Sequence, residues 1–178
     1  MARYGMYLNT KKCVGCYACR VACQMQNGLQ TNEVYIKFYE NETGTFPNVY
    51  HEIVPVQCQH CTDAPCVDVC PTGASMTLEN GIVMVELDKC IGCKYCMEAC
   101  PYQARVVLHK TGTVEKCVFC GPLVAAGEDP ACVTTCITNA RVFGDLDDPS
   151  SELNKVIAEN NARPIAGDLT KSNFYYVR

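Results

Sequence analysis

Apolar and polar positions along this chain alternate in short runs, and long helical periods are rare. Tyr4, Met6 and Leu8 alternate with Arg3, Gly5 and Tyr7, so residues 3–9 predict a strand. Strand-like runs recur at Val34–Tyr39, Val49–Val54, Ile82–Leu87, Ala104–His109, Arg141–Leu146 and Phe174–Val177. The polar stretch Asn41–Asn48, with Gly44 and Pro47, predicts the turn of a hairpin that delivers the chain to Cys58. Its aromatic residues read first as packing within a small sheet, and second as a face for a partner. Asn80-Gly81 between two strand-like runs predicts another hairpin. Lys110–Thr113 reads as a turn. A helix is expected after Asp147, with Asp148 as its N-cap and Pro149 in its first turn. The terminal run Phe174–Val177 is expected to pack back on the chain or to meet a partner. Short strands, hairpins and short helices together predict an α+β fold.

The cysteines change that picture most. All 16 fall into four groups of four: Cys13/16/19/23, Cys58/61/66/70, Cys90/93/96/100 and Cys117/120/132/136. Cys90-Ile-Gly-Cys93-Lys-Tyr-Cys96-Met-Glu-Ala-Cys100-Pro101 is the C-x2-C-x2-C-x3-C-P run of bacterial iron–sulfur proteins. Three thiolates two residues apart lie on one tight loop and can wrap three corners of a cubane. In two-cluster ferredoxins the fourth ligates the other cluster. The first group has the same cysteine spacing, and Leu8…Lys12-Cys13-Val-Gly-Cys16 repeats Leu87-Asp88-Lys89-Cys90-Ile-Gly-Cys93. Gly15 and Gly92 are the turn residues expected to aim backbone N–H groups at cluster sulfurs. The second group inserts Pro65 within an x4 spacing, and the fourth holds Gly121–Ala131 between its two cysteine pairs. His60, between two ligands, reads as a neighbour of the site or a surface histidine ahead of a ligand.

Fourth-ligand exchange predicts four [4Fe–4S] clusters with all 16 cysteines as iron ligands. One pair takes Cys58, Cys61, Cys66 with Cys100, and Cys90, Cys93, Cys96 with Cys70. The other takes Cys13, Cys16, Cys19 with Cys136, and Cys117, Cys120, Cys132 with Cys23. A double-cluster unit over residues 57–109 is then inserted in an outer unit made of residues 1–56 with 110–178.

Composition sharpens the reading. Hydrophobic residues make up 48% of 178 positions, but about 39% without the cysteines, a modest core for this length. Folding is therefore expected to depend on metal. Net charge is −4 with no basic run, which argues against nucleic acid. No stretch approaches the about 20 apolar residues of a membrane span, and no apolar leader precedes Cys13. A disulfide framework is disfavoured by the cysteine runs. The fourth group taken alone is compatible with a zinc ribbon. No phosphate loop, nucleotide fingerprint or nucleophile elbow is present, so no catalytic residue is expected.

The chain resembles the ferredoxin-like electron-transfer subunits of molybdopterin oxidoreductases, such as polysulfide, thiosulfate, tetrathionate and dimethyl sulfoxide reductases. The resemblance is carried by Cys13–Cys23, Gln57–Ala74, Asp88–Tyr102, Pro130–Cys136 and Phe143–Pro149. It implies duplicated bacterial-ferredoxin-like units, a catalytic partner holding molybdenum or tungsten on a pterin, and a quinone-reactive membrane subunit. It also implies a membrane-associated complex on the extracytoplasmic face, reached by export with a leader-bearing partner. Ile137 departs from the proline that the family often has there, and Gly121-Pro122-Leu123 departs from a more polar segment. A cytoplasmic polyferredoxin-like subunit of a formate, hydrogenase or aldehyde oxidoreductase complex would carry the same clusters and is the alternative.

Overall fold

The computed structural model describes residues 2–178; residue 1, the first of the stretch read for an apolar leader, lies outside the described residues. The chain folds around a three-stranded sheet, β1 (Tyr4–Asn9), β8 (Arg141–Asp145) and β9 (Phe174–Val177), with β1 in the middle. β1 runs antiparallel to β8 and parallel to β9, so Met6 lies beside both Phe143 and Phe174. The period-2 alternation sends Met6, Leu8, Phe174 and Tyr176 to the face that meets the cysteine-rich interior. Tyr7, Tyr175 and Val177 go to the other face, where α6 (Glu152–Glu159) seals them with Leu153, which is fully buried. Phe174–Val177 thus packs back on the chain.

The start of α6 differs from the expectation. Ser151, not Asp148, is its N-cap, and the Ser151 hydroxyl accepts from the Asn154 N–H at 3.3 Å. Asp148 instead accepts from the N–H and hydroxyl of Ser150 at 2.8 and 2.7 Å. An Asp-Pro-Ser turn uses the same side-chain oxygen that a cap would, so the helix starts one turn later.

The hairpin β2 (Lys37–Thr45) and β3 (Asn48–Val56) is longer than predicted. Its turn is Phe46-Pro47, a cis bond, with Thr45 paired to Asn48. The stretch 41–48, predicted as turn, is mostly ladder. It is exposed on both faces, so no apolar alternation marks it. Its root is buried at Val54 and Val56, whereas Tyr39, Phe46, Val49 and Tyr50 are exposed. The aromatic residues of the outer half therefore do not pack in a small sheet, the reading first expected for them.

The Asn80-Gly81 hairpin forms as predicted between β4 (Ser75–Thr77) and β5 (Val83–Val85), with Gly81 at φ +79°. The strand expected over residues 104–109 shortens to β6 (Val106–Val107), paired with β7 (Val114–Glu115). The remaining helices are short: α1 (Ala18–Gln26), α2 (Pro65–Asp68), α3 (Tyr95–Glu98), α4 (Gly121–Ala125) and α5 (Ala131–Thr134). α1 packs on α5, and α2 on α3. Among the described residues no helix is long and apolar enough to cross a membrane.

Candidate metal centres

Two cysteine loops are built alike, down to the hydrogen bonds. A single 3-10 turn, Thr10–Lys12 or Leu87–Lys89, precedes each. The Cys13 N–H donates to Thr10 O at 3.0 Å, and the Cys90 N–H to Leu87 O at 3.0 Å. Gly15 and Gly92 then take φ +64° and +69°, and Tyr17 and Lys94 take φ +60° and +67° at the N-caps of α1 and α3. The two left-handed residues coil the backbone into a cup, which is what wraps Cys13/16/19 and Cys90/93/96 around one point. In all four groups the third cysteine, Cys19, Cys66, Cys96 or Cys132, sits in a helix. The fourth lies beyond the helix end, except Cys23, which the longer α1 contains.

Three of the four predicted sets each line one cavity. Cys13, Cys16, Cys19 and Cys136 line one small space. Cys58, Cys61, Cys66 and Cys100 line a second, and Cys70, Cys90, Cys93 and Cys96 a third. The same four-sulfur lining in each suits the same guest. In the remaining set Cys23, Cys117, Cys120 and Cys132 are all buried, and Cys23 lies within electrostatic reach of Cys120, Cys132 and Cys117. Cys23 is not among the residues that line the space of Cys13.

The sets form a row. Cys19 of the Cys13 set lies within electrostatic reach of Cys132. Cys117 of that second set reaches Cys58 of the third. Cys66 of the third set reaches Cys96 of the fourth. The order is therefore groups one, four, two, three, taking each group by its first three cysteines. Cys16 at one end and Cys93 at the other are exposed. Of the inner cysteines all are buried but Cys100, which is partly so. Exposed apolar residues flank both ends: Val14 beside Cys16, and Ile91 and Tyr95 beside Cys93.

The electrostatics ask for a cationic guest. Burial, with neighbouring cysteines adding to it, pushes the Cys23 and Cys61 thiols up to about 12. Burial likewise pushes Cys132 up to about 11 against the pull of Arg141. Four buried thiolates are tolerable only around positive charge, so binding a metal core must release those protons. Cys70 and Cys136 fall below the usual thiol range. Burial pushes them up, but hydrogen bonds to their sulfurs from the N–H groups of Ser75 (3.4 Å) and Ala140 (3.3 Å) help to outweigh it. Among the described residues no three His, Cys, Asp or Glu converge closely enough to hold a single metal ion.

Other polar groups face these spaces. Arg105 lines two of the cavities and Arg141 a third. Nε and Nη1 of Arg105 and Nη2 of Arg141 are buried without a protein hydrogen-bond partner, a costly state unless something anionic faces them. Neither arginine was expected at a site, although each stands five residues after a fourth cysteine, Cys100 or Cys136. His60 lies deeper than the surface position weighed for it. It is fully buried, stacks on Phe119 with ring centres 3.8 Å apart, and accepts from the Val83 N–H at Nδ1 at 3.1 Å. Burial first, then the nearby Lys116 charge, holds it neutral, well below the usual histidine range. The Gly121–Ala131 segment carries α4, and Ile137 is exposed.

The chain is similar to known iron–sulfur proteins along most of its length. Residues 49–146 match the profile of a 4Fe–4S dicluster domain, and residues 12–74 match a second profile of the same description. A polysulfide reductase chain of Wolinella succinogenes is 42% identical, over 98% of this chain and 94% of its own length. The thiosulfate reductase electron transfer subunit of Salmonella typhi is 43% identical, over 88% of this chain and 82% of its own. A tetrathionate reductase subunit of Salmonella typhimurium is 40% identical, over 85% of this chain and 61% of its own.

Proposed function

Because the chain belongs to the family of 4Fe–4S dicluster iron–sulfur subunits of reductases, we propose that it conducts electrons through four [4Fe–4S] clusters between two partner proteins. The observation that carries this is the row of four-cysteine sets with an exposed cysteine at each end and buried sets between. A bound [4Fe–4S] cluster takes up and releases one electron with its protein ligands unchanged. The chain's residues do the rest. The cups around Gly15 and Gly92 fix the outer sulfurs near the surface. The sulfurs of Cys70 and Cys136 accept backbone N–H bonds, which favour added negative charge. The buried inner sets exclude water. All four ligand positions of each cluster are protein thiolates in this reading, so no iron is open to a substrate.

The four sets are those lining the cavities above, with Cys23, Cys117, Cys120 and Cys132 as the remaining one. A unit of residues 57–109 is inserted in one of residues 1–56 with 110–178, a reading supported by the packing of α2 on α3 and of α1 on α5. One partner is a catalytic reductase subunit, and the family resemblance makes its cofactor a molybdopterin. The other is a quinone-reactive membrane subunit, which would hold the complex at a membrane, and the family resemblance makes its side the extracytoplasmic face. The names of the relatives, reductase chains and electron-transfer subunits, support the first partner.

Anaerobic purification should give about 16 iron and 16 sulfide per chain, together with a copurifying molybdopterin protein. Cys93→Ser should abolish quinol-linked turnover of that complex and leave the partner active with an artificial donor. Unchanged quinol-linked turnover in C93S, or a colourless zinc-loaded chain, would falsify the reading.

A further inference from the structure

Among the described residues three cations are buried to within a few per cent: Arg105 (2% exposed), Lys116 (2%) and Arg141 (3%). None pairs with a carboxylate among the described residues. A buried, uncompensated cation is strongly unfavourable, so each of these needs a reason.

Their positions supply one, because each lies in a different gap of the row. Arg141 lines the cavity of Cys13, Cys16, Cys19 and Cys136 and lies within electrostatic reach of Cys132 in the next set. Its Nη1 donates to Gln57 Oε1 at 2.8 Å, and Gln57 Nε2 donates to Cys117 Sγ of that next set at 3.7 Å. Lys116 immediately precedes Cys117 and also lines the cavity of Cys58, Cys61, Cys66 and Cys100. Its Nζ donates to Cys117 O at 2.7 Å and to Val83 O. Arg105 lines both the Cys58-set and the Cys90-set cavities. Its Nη2 donates to Ser75 Oγ at 2.6 Å, and the Ser75 N–H donates to Cys70 Sγ of the Cys90 set.

The two arginines are one device built twice. Cys100-Pro-Tyr-Gln-Ala104-Arg105-Val106 and Cys136-Ile-Thr-Asn-Ala140-Arg141-Val142 place each guanidinium five residues after the cysteine that crosses to complete another group's set. Each then lies within electrostatic reach of the third cysteines of two sets: Arg141 of Cys19 and Cys132, Arg105 of Cys66 and Cys96. A guanidinium stays charged and presents donors in a fixed fork, which suits a position between two anionic groups.

We propose that Arg141, Lys116 and Arg105 are spacer cations, one in each gap between neighbouring clusters, that raise the reduction potentials of the two clusters each one separates. The proposal rests on the four-cluster reading above. Reducing a cluster adds negative charge, and in a water-poor interior a fixed cation between two clusters favours that charge on both. Without the spacers each added electron would face only its anionic neighbours along the row. The three residues are positioning residues, since they hold no iron.

The test is anaerobic potentiometry of the full-length chain, followed by electron paramagnetic resonance of its four centres, with iron counted per chain. Arg141→Met should lower two of the four midpoints by at least tenfold in the reduced-to-oxidised ratio, about 59 mV for one electron. R105M should lower the other two by as much, and K116M one from each pair. R141K and R105K, which keep the charge, should shift the same midpoints less than their Met counterparts do. Lys12→Met removes an exposed charge next to Cys13 and should move no midpoint that far, because water already screens it. Unmoved midpoints in the iron-replete Met variants overturn the proposal. So do four midpoints that shift together, a Lys variant that shifts as far as its Met counterpart, or a K12M shift equal to that of R141M. If a Met variant loses iron, recovery of that iron in the Lys variant supports a need for charge, and its loss in both overturns the proposal in favour of shape. A wild-type chain without four one-electron centres sinks the cluster reading itself, before any variant is compared.

Discussion

Gly92 shows how closely one residue can fix a cluster loop. It sits at φ +69°, and a Cβ there would stand 2.7 Å from the carbonyl oxygen of Gly112. Gly15, its counterpart at φ +64°, would bring a Cβ to 2.5 Å from Ile53 Cδ1, the far end of a flexible side chain. Both Ala variants meet the left-handed cost of about 1–2 kcal/mol. Only Gly92→Ala also has to move backbone. G92A should therefore lose part of its iron on anaerobic purification, while G15A retains its iron and only bleaches at a lower temperature. Equal iron contents in the two variants would show that the Gly112 contact yields freely. The left-handed residues were half legible in the sequence. Gly15 and Gly92 stood out by their repeat, whereas Tyr17 and Lys94, equally left-handed, carry side chains that announce nothing.

At the scale of elements, the helix behind the central sheet and the tip of the long hairpin stand apart from the cysteine sets. Leu153 of α6 is fully buried against the sheet face turned away from the cysteines. Leu153→Ala should cost about 2–5 kcal/mol, seen as a lower thermal midpoint, with the cluster potentials unmoved. A shift in potential would show that the sheet transmits strain to the sets. The hairpin is a second case. Asn41 pairs with Glu52, so joining them through an Asn-Gly turn removes only the exposed end of β2 and β3. Glu52 itself, held below the usual carboxylate range by Arg178 at 2.7 Å, stays in place. The shortened protein should keep its full iron content, while copurification of a partner that docks on Phe46 and Tyr50 would be lost. A fall in iron would instead make the tip structural. Period-2 alternation located β1, and β9 was legible as a short apolar run because both faces of its sheet are covered. It failed on residues 41–48 because neither face is.

For the whole molecule, metal removal is the decisive perturbation. Much of the interior is cysteine, and the apolar remainder is modest for 178 residues. Oxidative bleaching in the presence of a chelator should expand the chain from a radius of gyration of about 16 Å toward about 45 Å, as read by small-angle X-ray scattering. A bleached protein that stays near about 16 Å would mean that the sheet and α6 fold without metal. Retained thermal stability after bleaching would say the same.

The sequence by itself determined the cysteine groups, the repeat of the first and third loops and the α+β character, because these depend on spacing and local backbone preference. Exchange of the fourth cysteine let the sets be proposed by number. What only the tertiary structure decided was the order of the sets, which of them lie near the surface, and the interior positions of Arg105, Lys116, Arg141 and His60. Those properties depend on contacts between residues far apart in the chain: Arg141 meets Gln57, Arg105 meets Ser75, and α1 meets α5. An arginine in a sequence looks the same whether water or cysteine sulfurs surround it, and only the packing of distant segments removes the water.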